Sequence, residues 1–304
     1  MDKQTTSGSM FTKGFLATLV VAVILAGCDS VDDDVHAPVY LVESYQIANQ
    51  PLRPVRLSRT ASIYERYDTT ALAVQDAEVR IHRLSAAREI DRTYLLVHDP
   101  ESPGFYFPES TELVVALRTY RLEIRVGGDE VTSETTVPGS FDLVSVNRRE
   151  AVYQSDEQLE FVFTPSQYPG RQTVYIFTSE TLVPRADQLT PFWERLYEDG
   201  DVALEDLRIF TSPPLNEANY DVNPATGTIT TPMPWLMVAF YGRQRVTANA
   251  IDDNMLDFVR SHQVQQGGST LSPGEIPNVL DHVDGGTGIF GSYASVATEV
   301  TILR

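Results

Sequence analysis

Two apolar patterns divide this chain. Phe15 to Gly27 (FLATLVVAVILAG) is apolar or small at every position except Thr18. From Pro38 onward the pattern becomes short runs in which apolar and polar residues alternate, as they do on half-buried strands. Val39 to Tyr45 predicts a first strand and Ala77 to Leu84 another. Tyr120 to Val126 alternates most cleanly, meets the hairpin signal Gly127-Gly128-Asp129-Glu130, and returns as Val131 to Val137. Strands and turns at this frequency suggest a sandwich of about a hundred residues, and Pro138-Gly139 reads as its boundary.

The second half opens with strand patterns at Gln158 to Thr164 and Arg171 to Thr178. Pro191 to Tyr197, behind a cap at Thr190, predicts a short helix. Residues 211–234 contain Pro213, Pro214, Pro224, Pro232 and Pro234 and read as a loop. A strand from Trp235 to Tyr241, running towards Ala250, is expected next. Asp253 to Gln265 has the partial apolar face of a helix, through Met255, Leu256, Phe258 and Val259. Gln266 to Pro277 reads as a loop and Tyr293 to Leu303 as the last strand. The expected fold is mainly β: two tandem β-sandwich-like domains, residues 38–140 and 141–304, the second with one or two short helices.

The first apolar run is an address. Thirteen residues fall short of the about 20 that a spanning helix needs, but suit a signal peptide core, with Lys13 as its positive flank. Met10 offers a second start that would leave a compact basic leader. The run ends in Leu25-Ala26-Gly27-Cys28, the pattern of a bacterial lipobox, with small residues for a peptidase cleft and a thiolate to accept the lipid. The bland alternative is a secretory signal with a chance cysteine. Residues 1–27 are therefore expected to be removed and Cys28 to carry acyl chains into a membrane. Cys28 is the only cysteine, so the folded part relies on its core and not on disulfides. Residues 28–37 form an acidic tether, in which Asp32-Asp33-Asp34 is either a solvated spacer or an export signal to the cell surface.

Charge narrows the partners. Without residues 1–27 the chain loses Asp2, Lys3 and Lys13, leaving 41 acidic and 21 basic side chains, a net charge of −20. Every remaining basic side chain is arginine. Nucleic acid needs a basic stripe, which this balance opposes, and anionic lipid would repel the body, so the acyl chains must anchor it.

Asp76-Ala77-Glu78-Val79-Arg80-Ile81, Tyr120 to Ile124, Thr136-Val137-Pro138 and the Gly-rich Asp284 to Gly291 together resemble an uncharacterised family of Bacteroidota outer-membrane lipoproteins. The family's usual Gly-Asn step before the Gly-rich turn is replaced by Pro277-Asn278. The resemblance covers most of residues 38–304. It implies an N-terminal sandwich like the carboxypeptidase regulatory domain, an Ig-like architecture, and genes close to TonB-dependent receptors. It supplies no catalytic residues.

Candidate chemistry is sparse. Gly286, Gly288 and Gly291 fit G-x-G-x-x-G, but a dinucleotide site needs a helix after them and β-branched alternation follows instead, so a glycine hairpin into the last strand is expected. The five histidines (His36, His82, His98, His262, His282) are scattered, with His282 between Asp281 and Asp284 the most interesting. Asp199-Gly200-Asp201 and Asp221-Val222-Asn223 offer isolated calcium contacts and no full calcium loop. Neither Ser272-Pro273-Gly274 nor Gly291-Ser292-Tyr293 has the flanks of a serine nucleophile. No cofactor and no metal site is read. The aromatic groups Phe105-Tyr106-Phe107, Phe192-Trp193-Tyr197 and Trp235 with Phe240-Tyr241 serve as core or as a partner surface. Trp235 and the proline-rich loop before it mark the binding surface. Two functions stay open: a non-enzymatic, surface-exposed lipoprotein that binds a ligand or assists a TonB-dependent receptor, and an extracellular hydrolase of polysaccharide or peptide using carboxylates joined by the fold.

Overall fold

Side-chain alternation builds the first half of the protein. In the computed structural model, which describes residues 37–62, 68–263 and 280–304, seven strands follow one another. They are β1 (Tyr40–Ile47), β2 (Val55–Arg59), β3 (Glu78–Leu84), β4 (Ile90–His98), β5 (Phe105–Pro108), β6 (Thr119–Val126) and β7 (Asp129–Thr136). β6 shows the rule: Tyr120, Leu122, Ile124 and Val126 are buried while Arg121, Glu123 and Arg125 face outward. Its hairpin with β7 closes at Val126 opposite Asp129, over Gly127 and Gly128 at φ +60° and +97°. Positive φ at both turn residues is the type I′ geometry that glycine supplies without strain.

The remaining strands are β8 (Leu143–Val146), β9 (Glu150–Val152), β10 (Glu160–Phe163), β11 (Val174–Thr181), β12 (Ile209–Thr211), β13 (Leu215–Asn216), β14 (Asp221–Val222), β15 (Ile229–Pro232), β16 (Gly242–Ile251), β17 (Val283–Asp284) and β18 (Thr287–Leu303). Helix α1 (Pro191–Glu198) precedes β12, and α2 (Asp253–Gln263) follows β16. Among the described residues no helix is long and apolar enough to cross a membrane.

Most strands join one large, curled sheet in the order β12-β11-β16-β18-β1-β2-β5-β4-β3-β6-β7-β17, and a smaller sheet runs β14-β15-β10-β8. β18 is the spine of the large sheet. It pairs antiparallel with β16 from Tyr293 to Ile302, parallel with β1 from Thr287 to Tyr293, and parallel with β9 at its end. The result is the mainly-β, sandwich-like architecture that the alternation predicts. The boundary read at Pro138-Gly139 lies between β7 and β8, yet backbone pairing between β1 and β18 crosses it. Val39–Arg304 is one compact unit. The reason is the 17-residue last strand, which returns to the first; its pairing is non-local and leaves no mark in local periodicity.

The small sheet lies over β11 and β16. Phe161 and Phe163 of β10 and Ile229 of β15 meet Tyr175, Phe177, Val246 and Ala248 in one buried cluster that also holds the N-terminal core. Phe163 and Tyr175 meet edge to face at 5.3 Å, within the range where aromatic pairs add to plain burial.

Several local readings are corrected. Residues 211–234 are not a plain loop: β13 pairs with β11, β14 with β15, and β15 with β10. Pro232 is tolerated because it ends its strand. Trp235 to Tyr241 is not a strand. Trp235–Met237 forms a 3-10 turn closed by Met237 N–H to the Pro234 carbonyl, and the strand begins at Gly242, φ +98°. The Gly-rich segment is not a hairpin either, since β17 pairs with β7 and β18 with β1. Its glycines let the chain squeeze between two strands. A Cβ on Gly286 would stand 2.8 Å from the Tyr40 carbonyl, and one on Gly288, at φ +110°, would strike the Val42 carbonyl. Both helices form where expected; the signal segment, lipobox, Cys28, Asp32-Asp33-Asp34 and the 266–277 loop lie outside the described residues.

Candidate functional site

Where the two sheets diverge they leave an apolar cleft of about 320 Å³. β10 contributes Phe161, β11 Phe177, β12 Phe210, β13 Leu215 and β16 Val246, while the proline-rich segment closes it with Pro213, Thr231, Pro232, Met233, Pro234, Leu236 and Met237. The 3-10 turn brings Met237 into the buried wall and leaves Leu236 at the mouth, 54% exposed. The two hydroxyls that reach the cleft are Ser212 and Thr231. Ser212 Oγ accepts from Phe177 N–H and donates to the Pro213 carbonyl, both at 2.9 Å.

Trp235 itself turns to the other side of that turn. Its ring stands edge-on to Tyr153 at 5.6 Å, Tyr153 does the same to Tyr241 at 5.7 Å, and the Arg304 guanidinium covers Tyr241 at 5.3 Å. Trp235, read as marking a binding surface, thus stands next in sequence to lining residues and is not itself among them. On α1, Trp193 packs beside Leu189, Leu207 and Phe240 and donates Nε1–H to the Leu236 carbonyl at 3.3 Å, so it braces the cleft's rim. Tyr106, read among the aromatics, is core: its hydroxyl donates to the Val74 carbonyl at 3.0 Å.

A second, polar cleft of about 720 Å³ lies beside β6, β7 and β17, lined by Arg121, Glu123, Glu130, Glu134, Asp281, His282 and Asp284 among others. This is where the fold gathers carboxylates. Burial would raise the Glu134 pKa, but hydrogen bonds from Arg121 and Arg88 outweigh it and hold the carboxyl below its ordinary value. A carboxyl held as an anion is a poor proton donor, so Glu134 does not suit the acid of a hydrolytic pair. His282 Nε2 meets Asp257 Oδ2 at 2.9 Å, and Ser133 Oγ donates to the His282 carbonyl at 2.6 Å. Among the described residues no three His, Cys, Asp or Glu side chains gather as a metal set. Asn223 Oδ1, a calcium candidate, accepts from Ala225 N–H within its own turn.

A third polar group, missed in the sequence, is buried at the head of α2. Asp252 is fully enclosed; its Oδ1 accepts Met255 N–H at 2.9 Å and its Oδ2 accepts the Thr135 hydroxyl, which also meets Ser292 Oγ. Burial pushes its pKa up to about 6 against those hydrogen bonds. Asn254 Nδ2 donates to the carbonyls of Glu134 and Phe290, both at 2.7 Å. The cluster ties β7, β18 and α2 together and is structural.

The fold defines a sandwich-like, mainly-β protein whose described residues line an apolar recess and a charged one, among others. The chain belongs to the DUF4249 family, a domain of unknown function, whose model matches residues 29–299. No curated protein matches it. Among solved structures it is similar to a Salmonella alpha-2-macroglobulin reacted with methylamine, at 9% identity and TM-score 0.24 over 88% of this chain and 15% of that one. A tetra-tandem repeat from the extending region of a large adhesion protein gives 12% and 0.21 over 86% and 49%. The three N-terminal domains of the bacteriophage RB49 outer capsid protein Hoc give 6% and 0.23 over 87% and 70%. The chain spans about 15% of the macroglobulin it is matched with first. Likenesses this distant assign no role.

Proposed function

We propose that this protein is a lipid-anchored outer-membrane lipoprotein of the Bacteroidota type, displayed at the cell surface, that binds a ligand or serves a TonB-dependent receptor without catalysing a reaction. The observation that carries the binding reading is the apolar cleft beneath the proline-rich segment, since a concave, largely apolar recess on a rigid β scaffold is the usual form of a binding site. The anchoring reading rests on Leu25-Ala26-Gly27-Cys28 after an apolar run too short to span. The compact unit begins at Val39, so the segment behind Cys28 can hold it at most about 40 Å from the lipid.

The test is made on whole cells. Mass spectrometry should find an acylated Cys28 at the mature N-terminus, and Cys28→Ser should leave uncleaved precursor or release the protein. Protease added to intact cells should digest the wild type, and Asp32-Asp33-Asp34→Ser should protect it by trapping it on the periplasmic face. Affinity isolation from mild-detergent membranes should bring down a receptor. An unmodified Cys28 inside a longer mature chain would refute the anchor, and protection of the wild type in intact cells would refute surface display.

A further inference from the structure

We propose that the cleft between the two sheets takes a neutral, apolar small molecule and excludes anions. The proposal rests on the binding reading above and adds its ligand chemistry. Every side chain lining the cleft is uncharged. Three of the lining residues, Pro213, Pro232 and Pro234, have no backbone N–H, and those of Met233 and Met237 are spent on the Leu159 and Pro234 carbonyls, so this wall is poor in donors for a carboxylate or phosphate. Ser212 spends its hydroxyl on the protein, accepting from Phe177 N–H and donating to the Pro213 carbonyl. An anion would exchange its hydration for at most the Thr231 hydroxyl, which makes a 3.5 Å contact with the Pro232 carbonyl, and would first have to approach a mature chain of net charge −20.

Shape agrees with chemistry. The volume of about 320 Å³ lies at the lower end of the range of small-molecule sites, and a ring beyond a fused pair can extend out past Leu236 at the mouth. The faces are aromatic (Phe161, Phe177, Phe210), and Met233 and Met237 close the side formed by the 3-10 turn. Flexible thioethers let a pocket adapt to ring or chain alike. Leu236 stands exposed at the mouth.

Two probes that differ by one group decide the matter. N-phenylnaphthylamine is neutral and brightens in apolar surroundings; anilinonaphthalenesulfonate has the same ring system plus a sulfonate. Both are titrated against the lipid-free mature chain carrying Cys28→Ser. The neutral probe should saturate with one site per chain, and the sulfonate should bind at least about tenfold more weakly. Val246→Phe, which fills the cleft from β16, should abolish saturation. Leu236→Arg, at an exposed position that folding does not depend on, should weaken the neutral probe by about tenfold, and it decides the case if Val246→Phe fails to fold. Equal binding of the two probes, no saturation in the parent chain, or saturation unchanged in a folded variant overturns the proposal. A receptor still isolated with folded Val246→Phe would then leave the surface reading standing without this ligand.

Discussion

Replacing Asp252 with asparagine should change how stability depends on pH more than it changes the fold. Asp252 is fully buried at the head of α2, with Thr135, Ser292 and Met255 N–H around its carboxyl. Burial lifts its pKa from 3.8 to about 6. The folded state therefore holds this proton more tightly than the unfolded chain does. Its favourable contribution is complete below about pH 4, shrinks as pH rises through 6, and is gone above that. A shift of roughly two units corresponds to about 3 kcal/mol. The asparagine side chain cannot ionise, so the stability of Asp252→Asn relative to wild type should rise by about 2 kcal/mol between pH 4 and pH 7, with the Thr135 hydroxyl turning to accept from the new amide. Glu112, Glu134, Glu157 and Glu299 are shifted the other way by their hydrogen-bonded partners, mostly arginines, but both proteins share them and the difference cancels them. Urea unfolding followed by circular dichroism at pH 4, 5, 6 and 7 measures the difference directly. A gap that stays constant over that range would refute the reasoning, and would mean that relaxation or water solvates the carboxylate.

Gly288→Ala should destabilise the body by more than about 2 kcal/mol, because φ +110° and the Val42 carbonyl both reject a Cβ; an unchanged urea midpoint would show that β1 can move aside. His82 should titrate below 6.5 by NMR, since its burial outweighs the attraction of Glu123, whose Oε2 lies 3.5 Å from Nε2, too far for a good hydrogen bond. Its neutral ring then contributes stability that is complete above pH 6.5 and declines as pH falls, and a titration at or above 6.5 would contradict this.

What could be read in the chain was what is local. β6 and β7 announced themselves through period-two burial and two glycines, and both helices through a proline start or an apolar stripe. β4 did not, because exposed Leu95 and Val97 alternate with buried Tyr94 and Leu96, so no polar face marks the alternation. β13, β14 and β15 hid behind prolines, since strands of two to four residues exist only through their partners. The apolar cleft was legible by neighbourhood alone: the prolines before Trp235 suggested a surface, yet its lining from β10, β11 and β16 comes from sequence-distant strands. Asp252 carries no local signal, being one acid beside Asp253 ahead of a helix, and it is buried only because β7 and β18 close over it.

The parallel pairing of β1 with β18 gives the protein a mechanical character. The compact unit begins at Val39, directly before β1, so any pull on the chain that precedes it enters through that strand. β1 is held on one side by seven residue pairs with β18 and on the other by four with β2. A load along the strand strains these ladders in shear, many bonds together, whereas a peeling load would open them one at a time. A pull that enters in the middle of the sheet, and not at a frayed edge, is resisted by the ladders on both sides of β1 together.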